Sequence, residues 1–305
     1  MKKRRRPNAV KFILTTLIAL IGFVMAAVAG PVAPPVVIYP TPAGERPSED
    51  FCVKVNNRPV FIDTIPTLHG ESASFGSFDF VGKVTVAIAS TRPVTSVKVL
   101  PTSYGIAPVL SKGQIAFDLS APANLTIELN GGIDHVLHLF ANPVEIDPLR
   151  QSDTNVIYFR PGVHDLGPIQ LQNNQTLYLA GGAIVRSTIP AGEKPTVEKD
   201  WAGCKCYRNL IEANNVTNIT IRGRGVLDLS RLPWHARTAI VLGHCDNVLV
   251  EGITLLDAPC WGVAMFGSRH VTVRNVKQIC RRENSDGIDI CNSRDVLVTD
   301  CFFAQ

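Results

Sequence analysis

The stretch "NVLVEGITLL", residues 247–256, alternates apolar and polar side chains and then turns a polar corner. The same pattern returns in "NITIRGRGVL" (218–227), "HVTVRNVKQI" (270–279) and "DVLVTDCFFA" (295–304). The first apolar residues of these copies, here called the anchors, are Ile219, Val248, Val271 and Val296, which lie 29, 23 and 25 residues apart. Repeats of about 20 to 50 residues indicate a solenoid or a similar array. An earlier copy, "TLYLAGGAIV", begins near Leu177, and a long insertion separates it from the next one.

The last three copies match in four further columns of apolar residues. Two residues after the anchor stand Val250, Val273 and Val298; five after it stand Ile253, Val276 and Cys301; eight before it stand Ile240, Val263 and Ile288; six before it stand Leu242, Met265 and Ile290. Short strands with alternate residues inward, joined by polar bends, build such columns when the turns stack. A second β-sandwich would not explain matched columns at four offsets. We therefore predict a right-handed parallel β-helix over residues 148–305.

The front of the chain has a different pattern. Residues 51–147 read as short alternating strands between turns, which is typical of a β-sandwich-like domain. Residues 30–50 are rich in proline and polar residues, which predicts a linker. The predicted fold class is therefore all-β, with a sandwich-like domain ahead of the β-helix.

The N-terminus has the features of a secretory signal peptide over residues 1–29. A basic head at residues 1–6 precedes an apolar run at residues 12–29, which ends in the small-residue pattern Ala27-Val28-Ala29. An uncleaved anchor is the alternative, because eighteen apolar residues can just span a bilayer. We expect cleavage, export to the periplasm or medium, and no stable membrane association afterwards.

Export changes the charge balance of the protein. Residues 1–29 carry six basic residues, five in the head and Lys11, and no acidic one, so their removal leaves 24 of the 30 basic residues against 26 acidic ones, a net charge of −2 rather than +4. The basic excess thus belongs to the export signal, and it gives no reason to expect nucleic-acid binding.

The eight cysteines give no clear framework. Cys52 is far from the other seven, which leaves an odd number, so we expect several buried thiols. Cys204-x-Cys206 has no second pair at zinc-finger spacing. From the sequence we expect no metal and no cofactor.

Two columns carry candidate functional residues. Ten residues before the anchors stand Thr238, Trp261 and Asp286, and seven before them stand Val241, Ala264 and Asp289. Equivalent residues of a β-helix stack about 4.8 Å apart on one wall. Asp289 faces outward if Ile288 faces inward, whereas Asp286 needs a bend to turn outward, which Gly287 permits. An exposed carboxylate beside an aromatic face is a common arrangement for holding a sugar ring.

The stretch "NSDGID", residues 284–289, resembles the NTDGxD motif of polygalacturonases, glycoside hydrolase family 28. "APCWGV" (258–263) resembles that family's S-P-x-W segment, and "RGRGVLD" (222–228) resembles its G-x-G-x-[IL]-[DN] turn. The resemblance covers about residues 155–305. A sandwich ahead of a β-helix is also similar to the dextranases of family 49.

The resemblance implies an inverting hydrolysis of O-glycosidic bonds, with Asp286 as the catalytic aspartate on the water-activating side. It also implies an Asp-Asp pair, a His-Gly and an Arg-x-Lys, which would lie beyond Gln305. We therefore expect an incomplete β-helix that is inactive as a hydrolase in this form. The residues expected to bind substrate or line its groove are Trp261, Asp289, Asn284, Arg282, His235 and Trp234, with Arg237 and Arg281 as further candidates.

Several alternatives remain open from the residues alone. Asp286 fits an Asp-Gly turn, or a calcium loop with Asn284 and Asp289. The protein fits a polysaccharide lyase on the same solenoid, a family 49-like glucan hydrolase, or a β-helix that binds glycans without catalysis. In every case we expect a polysaccharide, pectin-type or another plant or algal glycan, as the partner, and a monomer.

Overall fold

The computed structural model describes residues 36–67, 70–133 and 135–305. The predicted signal peptide, residues 1–29, lies outside the described residues. Within the described ranges, no helix is both long enough and apolar enough to cross a membrane. The helical content of these ranges is one 3-10 turn, Thr102–Tyr104, and the rest is strands and connections, so the predicted all-β class is confirmed.

The front domain consists of two mainly antiparallel sheets packed on a common core. Its strands are β1 (Val36–Ile38), β2 (Phe51–Val55), β3 (Arg58–Val60), β4 (Ile62–Pro66), β5 (Ser72–Phe80), β6 (Val84–Ser90), β7 (Val97–Leu100), β8 (Val109–Ser111), β9 (Gln114–Leu119), β10 (Ala123–Leu129) and β11 (Leu137–Pro143). One sheet has the order β1-β5-β11-β10-β7 with β4 also on β5, and the other has the order β3-β2-β6-β9-β8.

The segment predicted to be a linker, residues 30–50, contributes to this domain. Its residues Val36–Ile38 form β1, which pairs antiparallel with β5 through Val36 opposite Phe80. Val36 is buried because this pairing places its side chain in the sandwich core. The prediction missed this strand because prolines on both sides of it are typical of irregular chain, although they are equally compatible with an edge strand.

The rest of the chain winds into a parallel β-helix with three sheets. Its strands are β12 (Val156–Phe159), β13 (Gly162–Leu166), β14 (Ile169–Gln170), β15 (Thr176–Leu179), β16 (Ala183–Ser187), β17 (Ile211–Asn214), β18 (Thr217–Gly223), β19 (Val226–Asp228), β20 (Ile240–Gly243), β21 (Asp246–Glu251), β22 (Thr254–Leu256), β23 (Val263–Phe266), β24 (Arg269–Arg274), β25 (Lys277–Ile279), β26 (Ile288–Cys291), β27 (Arg294–Thr299) and β28 (Phe302–Ala304). The first sheet is β12-β15-β18-β21-β24-β27, the second is β13-β16-β19-β22-β25-β28, and the third is β14-β17-β20-β23-β26.

The predicted columns are the observed registers of these sheets. Ile219, Val248, Val271 and Val296 pair in succession, and so do the residues two positions later. In the third sheet Ile240 pairs with Val263, which pairs with Ile288. Most of these side chains are fully buried in one continuous core, so the predicted β-helix is confirmed.

The earliest copy was aligned incorrectly. Leu177 pairs with Ile221 and not with the anchor Ile219. The error is two residues, which keeps Leu177 on the inward face, because side chains of a strand alternate with a period of two. Leu177 is accordingly buried, and the predicted face was right although the register was wrong.

A ladder of asparagines forms the bend before the first sheet. Asn174, Asn218 and Asn247 all have φ between 56° and 61°. The side-chain amide of Asn218 donates to the amide oxygen of Asn174, and that of Asn247 donates to the amide oxygen of Asn218, both over 2.8 Å. Asparagine tolerates this left-handed conformation better than most residues. His270 and Asp295 occupy the same bend in the next two turns, with φ of 51° and 54°.

Buried ion pairs and polar contacts join the sandwich to the second sheet. Arg224 donates to Asp79 over 3.1 Å, and both side chains are nearly inaccessible. Lys277, which is fully buried, donates to Asn142 over 2.6 Å. Burial lowers the pKa of Lys277 well below its usual range. Tyr178 and Arg222 of the first sheet also contact Glu145 at the end of the sandwich, so the interface covers parts of the first and second sheets.

Candidate active site

The outer wall of the third sheet carries Asp286 directly beside Trp261. The backbone amide of Gly262 donates to the carbonyl of Asp286 over 2.7 Å, and the amide of Ala239 donates to the carbonyl of Trp261 over 3.0 Å. These bonds extend the parallel ladder before the strands begin. Thr238, Trp261 and Asp286 therefore stand in one column, in the predicted register, and the side chain of Asp286 is exposed.

The bend that turns Asp286 outward differs from the predicted one. The left-handed residue is Asn284, with φ of 58°, and Gly287 has no left-handed φ. Gly287 is needed for space instead, because a Cβ there would collide with the ring of Phe303. Two further bonds fix the bend: Ser285 donates its hydroxyl to the carbonyl of Ala258 over 2.8 Å, and the Gln278 amide donates to the carbonyl of Ser285 over 2.7 Å.

Asp289 stands on the same wall three residues later. It pairs with Ala264, next to the inward-facing Ile288. Burial, and then the charge of Asp286, raise the pKa of the Asp289 carboxyl. Within the described part of the chain, Asp289 Oδ2 and the indole nitrogen of Trp261 are buried polar atoms without a hydrogen-bond partner. The wall thus presents two carboxyls that interact electrically, and behind its surface lie two polar atoms that have no hydrogen-bond partner in the protein.

A long excursion, residues 188–210 between β16 and β17, folds beside this wall. Its Asp200 accepts a bond of 2.6 Å from Nδ1 of His235, and Nε2 of His235 lies 3.1 Å from the amide nitrogen of Asn284. The bond from His235 is the main reason that the pKa of the Asp200 carboxyl falls to about 2. A chain of polar contacts therefore runs from the excursion to the first residue of the NSDGID stretch.

His235 does not line a groove as predicted. Its side chain is only 3% exposed, and both ring nitrogens have partners. His235 itself has φ of 63°, and its amide donates to the carbonyl of Pro259 over 2.8 Å. Because the ring is buried, His235 can act on a sugar substrate only through Asn284 or Asp200.

Arg282 is also not available to a substrate. Its Nε donates to the fully buried Asp257 over 2.9 Å, and its two terminal nitrogens donate to the carbonyls of Leu232 and Ser230. All three nitrogens of the guanidinium therefore have partners within the protein, and they link the NSDGID stretch to the chain before Trp234. Arg237 is buried as well and pairs with Glu193 of the excursion over 2.8 Å. Arg281 is 40% exposed and is the more accessible arginine beside the motif.

The aromatic residues of the site form a cluster that the sequence revealed only in part. Trp234 donates its indole N–H to the carbonyl of Glu283 over 2.9 Å and stacks obliquely on His235, with centroids 4.0 Å apart. Trp201 of the excursion packs edge-on against Trp234 at 6.4 Å and is 81% exposed. Trp201 was missed because it lies in the insertion, which has no repeat to align it with the wall.

The excursion also brings together possible metal ligands. Asp200, Cys204 and His235 each offer one ligand atom, and these atoms lie within 4.8 Å of one another. A second thiol, Cys206, lies 3.6 Å from Asp200 Oδ2. Sequence reasoning missed this set because it searched for paired Cys motifs, whereas Asp200 and His235 are 35 residues apart.

The segment that forms this wall is similar to a known protein family. The family description "Glycosyl hydrolases family 28" matches residues 169–305, which contain both the excursion and the NSDGID stretch. Residues 169–305 are thus similar to this family of glycoside hydrolases. The family 28 segment begins at β14, so the sandwich and the first strands of the β-helix lie outside the match.

Two curated relatives are similar over part of their length. A "Probable polygalacturonase" of Vitis vinifera is 23% identical over 171 residues, covering 49% of this chain and 35% of the relative. A second "Probable polygalacturonase", from Arabidopsis thaliana, is 26% identical over 112 residues, covering 34% of this chain and 24% of the relative. The chain thus spans about a third or less of the length of these relatives.

A solved structure has a fold similar to that of most of the chain. Dex49A from Penicillium minioluteum matches 86% of this chain and 64% of its own, with a TM-score of 0.60 and 17% identity. The matched part of this chain is too large to be the family 28 segment alone. The match therefore supports the fold, with a front β-domain before the β-helix.

Proposed function

We propose that the protein hydrolyses O-glycosidic bonds of a polysaccharide on the outer wall of the third sheet. The observation that carries this proposal is the exposed Asp286 in one column with Trp261, in the segment that matches family 28. An Asp-Gly turn by itself would need neither the neighbouring tryptophan nor a second carboxyl at Asp289.

In the proposed reaction, Asp286 is the general base. Its exposed carboxylate takes a proton from a water molecule, and that water attacks the anomeric carbon. A carboxylic acid on the other side of the bond protonates the leaving oxygen, and a gap of roughly 6.5–9.5 Å between the two groups leaves room for the water. Asp289 shapes the site beside Asp286, and burial followed by the charge of Asp286 raises the pKa of its carboxyl.

Sugar rings would stack on the tryptophans. Trp261 stands next to Asp286, and the exposed Trp201 packs on Trp234 at the edge of the excursion. An aromatic face covers the apolar face of a sugar ring, which gives both tryptophans a role in binding. Binding would thus run from the excursion across the wall.

The proposed substrate class is a pectin-type polyuronate, following the family match. Arg281 is the arginine at the wall best exposed for pairing with a sugar carboxylate, since Arg282 and Arg237 are buried in other pairs. A neutral glucan is the second candidate, because the guanidiniums of these two arginines are not open to a uronate.

The decisive experiment uses a form of the protein that continues past Gln305, and compares it with the same form carrying Asp286→Asn on polygalacturonate, a neutral glucan and other polysaccharides. The substitution keeps the shape of the side chain and removes its charge, and loss of a general base costs about 10²- to 10⁴-fold in turnover. Asp295→Asn, an exposed aspartate at a bend of the first sheet, is the matched control and should keep wild-type turnover. Circular dichroism checks that each variant is folded.

The outcomes separate the alternatives. Release of reducing sugar by the wild type, and its loss in Asp286→Asn, supports the proposal. Near wild-type turnover in Asp286→Asn would make this residue a turn residue. An unsaturated product that absorbs in the ultraviolet would indicate a lyase, and glycan binding without product would indicate a binding protein.

We also propose that the protein is exported and works as a monomer. Support for export comes from the basic head, apolar run and alanine pattern of residues 1–29. N-terminal sequencing of protein from the periplasm or medium should find a start near Gly30. An intact Met1 in a membrane fraction would support an anchor instead, and light scattering tests the monomer.

A further inference from the structure

We propose that Asp200, Cys204 and His235 form a binding site for a zinc-type divalent cation. The three side chains offer a carboxylate oxygen, a thiol sulfur and an imidazole nitrogen within 4.8 Å of one another. This mixture of oxygen, sulfur and nitrogen donors suits Zn²⁺, which is bound by exactly these three residue types in proteins. A hard cation such as Ca²⁺ would take oxygen ligands alone, so the thiol and the imidazole favour zinc.

The cation would replace the proton that Asp200 and His235 share. Asp200 Oδ2 and His235 Nδ1 are 2.6 Å apart, which is the length of a strong hydrogen bond. Zn²⁺ lies about 2.0 Å from both kinds of atom, so a tetrahedral site would separate them to roughly 3.3 Å. For this pair the required change is therefore a fraction of an ångström, and any movement of Cys204 falls on an excursion that forms turns and irregular chain at residues 200–205.

Backbone hydrogen bonds within the excursion already hold Asp200 and Cys204 close to each other. Asp200 Oδ1 accepts bonds from the amides of Ala202, over 2.9 Å, and Cys204, over 2.8 Å. These bonds fix the carboxylate, leave Oδ2 directed at His235, and close the loop that carries Cys204. The loop thus resembles a preformed cradle, and binding would lose little additional chain entropy.

Asn284 supplies the support that a metal-bound histidine needs. Metal-bound imidazoles nearly always donate their second ring N–H to a neighbouring acceptor. Without the cation, Nε2 of His235 lies 3.1 Å from the amide nitrogen of Asn284. With the cation on Nδ1, Nε2 carries the proton, and a reversal of the Asn284 amide places its oxygen there. One side chain can therefore serve both states.

The alternative to a metal site is a hydrogen-bonded pair of Asp200 and His235 with a purely structural role. The nearby thiols favour the metal site over this pair. Such a pair needs no sulfur, but Cys204 belongs to the cluster and Cys206 lies 3.6 Å from Asp200 Oδ2. Cys260 lies 3.9 Å from the Asn284 amide on the wall side. Cys204 is thus the third ligand of the cluster, and Cys206 is the nearest candidate for a fourth.

The consequence is a cross-link between the excursion and the wall. Asp200 and Cys204 lie on the excursion, whereas His235 lies on the turn of the β-helix before Trp261. The cation would hold Trp201 beside Trp234 and restrain Asn284, two residues before Asp286. The proposal concerns binding and stability, so it stands or fails independently of the catalytic role of Asp286.

The test uses the purified exported protein, reduced and stripped with a chelator, and then titrated with Zn²⁺ or Co²⁺. We expect about one metal per chain, a thiolate-to-cobalt absorption band, and a higher thermal midpoint with zinc. Cys204→Ser should weaken the band and weaken binding more than about 100-fold, since loss of a mere supporting residue already costs 10- to 100-fold, and Cys204→Ser with Cys206→Ser should abolish the band. Cys52→Ser, an exposed thiol in the sandwich, is the matched control and should behave as the wild type.

Several results would overturn the proposal. These are a wild type that shows no thiolate-to-cobalt band, a Cys204→Ser variant that binds cobalt as tightly as the wild type, and a disulfide that includes Cys204 in the protein as exported. Asp200→Asn provides a second variant whose fold does not depend on the thiol, and it should weaken cobalt binding while keeping the band. Equal affinity in Asp200→Asn would remove Asp200 from the site.

Discussion

Removing Arg282 should destabilise the protein far more than removing its neighbour Arg281. The Asp257 carboxylate is completely buried and depends on Arg282 for a direct bond of 2.9 Å. Arg282→Ala leaves this carboxylate without that partner, which typically costs about 3–5 kcal/mol of folding free energy. Arg282 also donates to the carbonyls of Leu232 and Ser230, so its loss loosens the chain just before Trp234.

Arg281→Ala is a stringent control for this prediction. It removes the same charge one residue earlier, and its Nε lies 3.4 Å from the same carboxylate, but the side chain is 40% exposed. Such exposed pairs contribute about 0–1 kcal/mol. Urea unfolding of both variants measures the difference. If Arg282→Ala costs no more than Arg281→Ala, Asp257 is stabilised by other groups and the assignment of Arg282 as a structural residue is wrong.

Two further predictions concern pH and the asparagine ladder. Burial raises the pKa of Asp63 to about 6 from its ordinary 3.8, so the folded state binds this proton more tightly, and stability should fall as pH rises between these values. Asp63→Asn should remove that loss, which unfolding at pH 4 and pH 7 measures, and an unchanged pH profile would contradict the assignment. Asn218→Ala should be less stable than Asn218→Gly, because both lose the ladder bonds but only alanine pays about 1–2 kcal/mol for the left-handed backbone. Equal stabilities would show that the backbone at this bend relaxes.

The repeats could be predicted because their information is local and periodic. Each turn of the β-helix buries side chains in the same columns, so Val248 and Val271 can be aligned from the sequence alone. This alignment gives the register in which their strands pair. The wall follows too, since the position of Asp286 beside Trp261 depends only on that register. The bend itself was predicted with the wrong residue, because the sequence does not show that Phe303 fills the space beside Gly287.

Contacts between side chains that are far apart in the sequence could not be predicted from the repeats. Arg282 beside the motif has the sequence features of an exposed groove residue, and only the fold shows that Asp257, 25 residues earlier, turns its carboxylate inward to meet it. His235 is similar, because its ring orientation follows from a left-handed backbone that few residues adopt. An alternating pattern predicts which face a strand residue occupies, but it does not predict where a turn residue points.

In the excursion, residues outside the repeats make long-range contacts with the regular wall of the β-helix. A parallel sheet presents a fairly regular outer surface, so a groove on it needs an element that rises beside the wall. The excursion is such an element, and its contacts with the wall come from Glu193, Asp200 and Trp201, none of which belongs to a repeat. The β-helix therefore fixes the position of Asp286, whereas the excursion shapes one side of the site. It follows that exchanging the excursion should change which polysaccharides bind, while the carboxylates of the wall stay in place.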